Sequence, residues 1–300
     1  MIARALLALL LCAGAAQAED KPDCRLKIIA GLEMQTTMDG RVTVPVQIEG
    51  HDYRLLVDTG GFIDTLSPEV IKREGYKIAT SYGVQLRGMG TTMLTDYVTV
   101  NDTAIGRSHG HNFKFFVEDQ NSLFWDGTLA PEILATYDTD LDFGHDKLNL
   151  ISPDHCPGKV AYWTRSPVGE VPISMEGVTH ISAAVTVDGK DIDAILDTGA
   201  DTSYITLRTA ARLLGLEEDD PAFKLRGNQR INGMSAPVYS YPFKSLSFGA
   251  ITVNNPNIEI VSDKVWGEKK LLLGVSILRQ LHLYIAYKEH KLYVSPAMAN

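Results

Sequence analysis

Val57-Asp58-Thr59-Gly60-Gly61 and Leu196-Asp197-Thr198-Gly199-Ala200 decide how this chain of 300 residues reads. Each stretch ends a segment with strand character. Val42-Thr43-Val44-Pro45-Val46-Gln47-Ile48 alternates apolar and other residues, as a half-buried strand does. Glu49-Gly50 supplies a turn, and Tyr53 to Val57 returns to Asp58. In the second half Ile181 to Val187, the turn Asp188-Gly189 and the return Ile192 to Leu196 repeat the arrangement up to Asp197. The turn glycine stands eight residues before the aspartate in both copies.

The repeat extends outward from the two motifs. Nine residues after each aspartate comes a helix start, Ser67 followed by Pro68 in one half and Thr206 in the other. A hydroxyl side chain at the N-cap, with proline at the first helical position, is how such helices begin. Gly75 and Gly215 stand where glycine ends a short helix. Leu129-Ala130 and Leu273-Gly274 follow, with Ile133-Leu134 and Ile277-Leu278 at the same offset. Both halves close on a hairpin pattern, Leu141 to Ile151 and Tyr284 to Val294. Any one tripeptide is expected about 0.05–0.1 times in a chain of this length. Two copies with matched flanks therefore mark a duplication. The expected organisation is a leader at 1–18, a first lobe at 19–152, a linker at 153–170 and a second lobe at 171–300.

Composition narrows the remaining classes. Hydrophobic residues make up 45% and charged residues 22%, which is ordinary globular material with enough apolar mass for two lobes. The formal net charge of -9 argues against nucleic acid or an anionic membrane surface as the main partner. Arg4, the apolar run Ala5 to Ala15 and the small-x-small site Ala16-Gln17-Ala18 form a secretory leader, with Glu19 as the expected mature start. The run is too short to span a bilayer. A periplasmic or secreted, monomeric protein is expected. Cys24 and Cys156 remain after the leader. An even pair in an oxidising compartment reads as a disulfide, and the alternative is two free thiols.

A lone aspartate after a buried strand is usually a turn residue. Two aspartates related by duplication can be brought together by a pseudo-twofold axis. Two carboxyls at close range cannot both ionise cheaply, so they share a proton and titrate as a pair. One then serves as general base toward a trapped water, and the other donates to a substrate carbonyl. No metal and no cofactor is needed. Gly60 and Gly199 allow close backbone approach to the carboxylates. The hydroxyls of Thr59 and Thr198 are placed to lock the two loops together. Gly61 and Ala200 keep the next position small.

These motifs resemble the retropepsin and pepsin superfamily of aspartic endopeptidases, and more narrowly exported bacterial retropepsin-like proteases that carry both lobes in one chain. The resemblance covers nearly all of the mature chain. It includes Leu272-Leu273-Gly274, the hydrophobic-hydrophobic-Gly motif expected beneath the active site. It implies an all-β, bilobal fold with a few short helices, and cleavage of polypeptides with Asp58 and Asp197 as catalytic residues. It also implies glycine-tipped flap hairpins over the substrate. Gly88-Met89-Gly90, thirty residues after Asp58, and Gly233-Met234, thirty-six and thirty-seven residues after Asp197, are the candidates. Thr128-Leu129-Ala130 departs from the pattern, because an alanine stands where the family has glycine. That substitution is the one feature favouring the alternative, a pepsin-like protein that binds peptides without cleaving them.

Two other signals lead elsewhere. Asp138-Thr139-Asp140-Leu141-Asp142 opens like a calcium loop, but Phe143 and Asn149 stand where such a loop needs Gly and Glu. These aspartates are expected in a turn and an edge hairpin. His109-Gly110-His111 lacks a third metal ligand at suitable spacing and reads as a loop between strands.

Overall fold

The computed structural model describes residues 24–81, 86–87, 93–119, 121–176, 180–231, 234–264 and 270–298. The leader, the first flap tip at Gly88, Met89 and Gly90, and Gly233 of the second lie outside the described residues. The chain is mostly strand, with four short helices among the described residues. None is long and apolar enough to cross a membrane.

The strand Val42–Ile48 pairs antiparallel with His51–Val57 across a tight turn. That turn holds Glu49 at φ 51° and Gly50 at φ 80°, and Asp188 and Gly189 repeat it at 49° and 75°. Successive left-handed residues give the turn a twist that matches the flanking strands, which is why a small or acidic residue followed by glycine occupies it. Gly127–Leu129 lies parallel to His51–Val57 and antiparallel to Thr65–Leu66. Thr65–Leu66 then lies parallel to Ser108–Val117, which forms a hairpin with Asp96–Ile105. Asp96–Ile105 returns to Val42–Ile48 and closes a barrel of six strands.

The second lobe follows the same order through His180–Val187, Lys190–Leu196, Leu271–Leu273, Ser203–Thr206, Ile258–Val261 and Met234–Ser240. Its counterpart of the long strand Asp96–Ile105 is broken. Met234–Ser240 and Ser245–Phe248 are separated by four residues outside any strand, Tyr241 to Lys244. Pro242 lies there and cannot donate to a ladder. Ser245–Phe248 then rejoins His180–Val187.

Helix ends follow local chemistry. Ser67 Oγ accepts from Val70 N, and Thr206 Oγ1 accepts from Thr209 N. Gly75 and Gly215 terminate their helices at φ 69° and 72°, in the left-handed conformation glycine adopts without cost.

A third, antiparallel sheet joins the lobes. Its order is Ile28–Glu33, Lys147–Ile151, Asp138–Asp142, Leu281–Ala286, Lys291–Pro296 and Gly169–Glu176. Asp138–Asp142 from the first half pairs directly with Leu281–Ala286 from the second, in register Thr139↔Ile285 and Leu141↔Leu283. The expectation of an edge hairpin for Asp138, Asp140 and Asp142 is therefore wrong: their strand has a neighbour on both sides. Asp138 and Asp140 are buried. They are tolerated because His155 Nε2 lies 2.6 Å from Asp138 Oδ2 and His282 Nε2 lies 2.5 Å from Asp140 Oδ1. Such partners offset part of the penalty of burying a carboxylate, although Asp138 Oδ1 has no hydrogen-bond partner among the described residues and burial still raises that carboxyl. His109 and His111 lie in the strand Ser108–Val117 and not in a loop. Both are exposed beside Asp102.

The segment between the lobes packs over this sheet. Trp163 stacks on His282 with ring centroids 4.3 Å apart, and its Nε1 donates to Ser295 Oγ. Tyr162 donates to Asp140 Oδ2, and Val160 is fully buried. A disulfide joins Cys24 to Cys156 and ties the start of the described chain to this segment.

Candidate active site

Asp58 and Asp197 leave the ends of equivalent strands, and their backbone amides are anchored alike. Asp58 N donates to Leu129 O at 3.0 Å, and Asp197 N donates to Leu273 O at 2.9 Å. The two carboxyls hydrogen-bond each other. Burial pushes the Asp197 carboxyl well above its ordinary range, and the negative charge of Asp58 raises it further. Two amides oppose that rise: Gly199 N and Ala200 N both donate to Asp197 Oδ1, at 2.9 and 3.0 Å. Gly60 N donates to Asp58 Oδ1 at 3.0 Å.

The threonines cross between lobes. Thr59 Oγ1 donates to Leu196 O at 2.7 Å and accepts from Thr198 N at 3.1 Å. Thr198 Oγ1 donates to Val57 O at 2.6 Å and accepts from Thr59 N at 3.0 Å. Both side chains are fully buried. Each loop is thus held by hydrogen bonds from the other half of the chain.

Glycine is demanded by proximity rather than by dihedral angle. A Cβ added to Gly199 would stand 2.5 Å from Asp58 Cγ, and one added to Gly60 would collide with the Asp197 carboxyl. At Gly61 an added Cβ would meet Asp58 Oδ2 at 2.8 Å, whereas the second lobe carries Ala200 at that place.

Ala130 and Gly274 share one backbone form, at φ -110° and ψ 175° against φ -92° and ψ 178°. They differ in surroundings. A Cβ on Gly274 would lie 2.5 Å from Thr202 O and 2.7 Å from Ala200 O. Val275 N donates to Ala200 O and Ser276 N to Asp201 O, so these bonds pull the loop close. In the first lobe the next residue is Pro131, which has no N–H to draw the loop in. The methyl of Ala130 fits there and is fully buried.

Beneath the first loop lies an acid with no counterpart in the second. Asp64 Oδ1 accepts from Ala130 N at 2.7 Å, where Ser203 Oγ accepts from Gly274 N at 2.9 Å. Asp64 Oδ2 has no hydrogen-bond partner among the described residues. Burial drives this carboxyl well above its ordinary range, with the charge of Glu132 adding to the effect and the Ala130 amide opposing it.

Sequence reading missed Arg41. Its Nη1 donates to Gly199 O at 3.2 Å, its guanidinium lies 4.5 Å from the Trp125 ring centroid, and it is paired with Asp39. Burial alone would raise the Asp39 carboxyl, but hydrogen bonds from Arg41 and Thr37 hold it at about 2. An ion pair two residues apart is visible in sequence. Its reach to a carbonyl 158 residues away is not.

Met234 opens the strand Met234–Ser240, which pairs with Lys224–Ile231 as a long hairpin. Leu86–Arg87 and Met93–Leu94 pair antiparallel on either side of the first flap candidate. Among the described residues no group of three or more metal-ligating side chains is placed to hold a metal ion.

No curated protein matches this chain. The aspartyl protease family model matches it twice, over residues 44–133 and 183–277, and each match contains one Asp-Thr-Gly loop. With both halves of the chain matched and their loops interlocked, the protein belongs to the aspartyl protease family.

Proposed function

We propose that the protein is an exported endopeptidase that hydrolyses peptide bonds with a water activated between Asp58 and Asp197. The observation that carries this reading is the contact between the two carboxyls at the ends of equivalent strands, where burial and the charge of Asp58 raise the Asp197 carboxyl. We assign the base role to Asp58, because burial raises its partner Asp197; it takes a proton from the water as the water oxygen attacks the substrate carbonyl carbon. Asp197 gives its proton to the carbonyl oxygen. The tetrahedral diol then collapses: one of its hydroxyls returns a proton to Asp197, Asp58 gives its proton to the amide nitrogen, the C–N bond breaks and the amine leaves. The threonine bonds hold both loops at the spacing this exchange needs. The substrate is a polypeptide lying between the lobes. One chain supplies both aspartates, so the monomer is the active species. The leader and the Cys24–Cys156 bridge support export, because disulfides persist in oxidising compartments.

The test is cleavage of a diverse peptide library by the mature chain from acid to neutral pH. Asp58→Asn and Asp197→Asn run in parallel. Internal cleavage by the wild type is expected, with each variant slower by at least about 10²–10⁴-fold. A folded wild type that cuts nothing at any pH would refute the reading, as would one variant that keeps full activity.

A further inference from the structure

The face of the first lobe that carries Asp58 also carries a carboxyl group that the chemistry above does not use. Side chains along a strand alternate between faces. Val57, Leu66 and Leu129 point into the core. Their neighbours Asp58, Thr65 and Thr128 therefore lie on the other face. Glu118, directly after the strand Ser108–Val117, comes onto that face beside them. Thr65 Oγ1 donates to Glu118 Oε1 at 2.6 Å, and Thr128 Oγ1 donates to the same oxygen at 2.9 Å. Glu118 N is fixed to Leu66 O at 3.0 Å. Thr128 immediately precedes Leu129, whose carbonyl holds the amide of Asp58.

Both hydroxyls converge on one oxygen. Oε2 receives no hydrogen bond from the described residues, and no described cation pairs with the group. A carboxyl accepts through both oxygens, so half of its capacity is left over. Burial raises its affinity for a proton, the two threonines oppose this, and the charges of Asp119 and Asp58 add to the rise. A largely buried carboxylate without a cation is costly, and an arriving cation relieves that cost.

The second lobe lacks this arrangement. The parallel pairing Phe116↔Thr65 corresponds to Glu259↔Tyr204, which places Val261 at the equivalent of Glu118. Leu272 corresponds to Thr128 and Tyr204 to Thr65. Val261 and Leu272 are buried and apolar. One wall thus holds a carboxylate between two threonines, where the other has Val261, Leu272 and the phenol of Tyr204.

We propose that Glu118, oriented by Thr65 and Thr128, forms the floor of a substrate side-chain subsite on the Asp58 side of the cleft and selects a lysine or arginine beside the scissile bond. This rests on the protease reading. It makes Glu118 a specificity-determining residue.

The experiment uses the mature chain and a set of peptides that differ only in carrying lysine, arginine, norleucine or glutamate at each position around the cleaved bond. At one position the wild type is expected to favour lysine or arginine over norleucine by about 10²-fold in kcat/KM. Glu118→Gln is expected to lower that ratio at least tenfold. A purely structural Glu118 would instead depress all peptides in parallel and leave the ratio as it was, which would overturn the proposal. So would a wild type that cleaves without preference for a basic residue at any position. A second arm measures calorimetric binding of the lysine and norleucine peptides to Asp197→Asn, with and without Glu118→Gln. If the wild type cuts nothing yet the lysine peptide binds in a Glu118-dependent way, the protease reading fails and the subsite stands. If neither peptide is distinguished there, the subsite is refuted as well.

Discussion

Replacing Thr59 with valine keeps the side-chain volume close to native and removes one hydroxyl. That hydroxyl donates to Leu196 O at 2.7 Å and accepts from Thr198 N at 3.1 Å, in a place with no solvent access. The variant strands one carbonyl and one amide from the opposite half of the chain. A buried polar group deprived of its partner costs about 1–3 kcal/mol, so the pair costs about 2–6 kcal/mol. Against a total stability of about 5–15 kcal/mol this is a large share. With a urea m value of about 3 kcal/mol/M, the unfolding midpoint falls by about 0.7–2 M. Thr59→Ser retains the hydroxyl and loses one buried methyl, worth about 1 kcal/mol. Turnover should fall further than stability alone dictates, because a displacement of about 1 Å at the reacting groups costs about 10²-fold. Urea unfolding and peptide cleavage of wild type, Thr59→Val and Thr59→Ser form the assay. If valine lies within about 0.5 kcal/mol of wild type and retains turnover, the crossed threonines do not hold the two loops.

Gly274→Ala drives a methyl into Thr202 O and Ala200 O and should destabilise by about 1–3 kcal/mol, whereas Ala130→Gly should cost only about 1 kcal/mol; calorimetric melting separates them. Asp64→Asn keeps an acceptor for Ala130 N and removes a carboxyl whose folded pKa is raised. In the wild type the unfolded chain loses this proton as pH rises above the ordinary value of 3.8 while the folded chain retains it. Wild-type stability therefore falls with rising pH relative to the variant, by on the order of 1.4 kcal/mol per pH unit until the folded group ionises. Denaturation profiles of the two proteins that stay parallel from pH 4 to 7 would contradict this. Cys24→Ser with Cys156→Ser removes a link across 132 residues and should cost about 2–5 kcal/mol, measured by denaturation of the double variant.

Much of the frame is legible in sequence because it is built from local chemistry. Glu49-Gly50 and Asp188-Gly189 specify their turns, Ser67 and Thr206 cap their helices, and the apolar alternation before each Asp-Thr-Gly marks its strand. What escapes depends on partners far along the chain. Asp138 and Asp140 look like surface acids until His155, His282, Tyr162 and Tyr284 arrive from elsewhere. Ile28–Glu33 carries no periodic signal strong enough to name its partner, and its place is set by pairing with Lys147–Ile151. Glu118 gives no local sign of its threonines, which lie 53 and 10 residues away on other strands. The Asp-Thr-Gly loops are an exception, because duplication shows in sequence what would otherwise be a long-range relation.

The strand Asp138–Asp142 lies against Leu281–Ala286, so the two halves are parts of one molecule rather than copies that must find each other. In an assembly of identical subunits every substitution arrives twice, once on each wall of the cleft. A change that improves one wall there must be tolerated on the other. Here a single codon alters a single wall. Gly61 against Ala200, Ala130 against Gly274, Asp64 against Ser203 and Glu118 against Val261 are differences that a twofold assembly could not hold. Fusion of the halves thus frees each wall to follow its own history, and a substrate read from left to right need not look the same read from right to left.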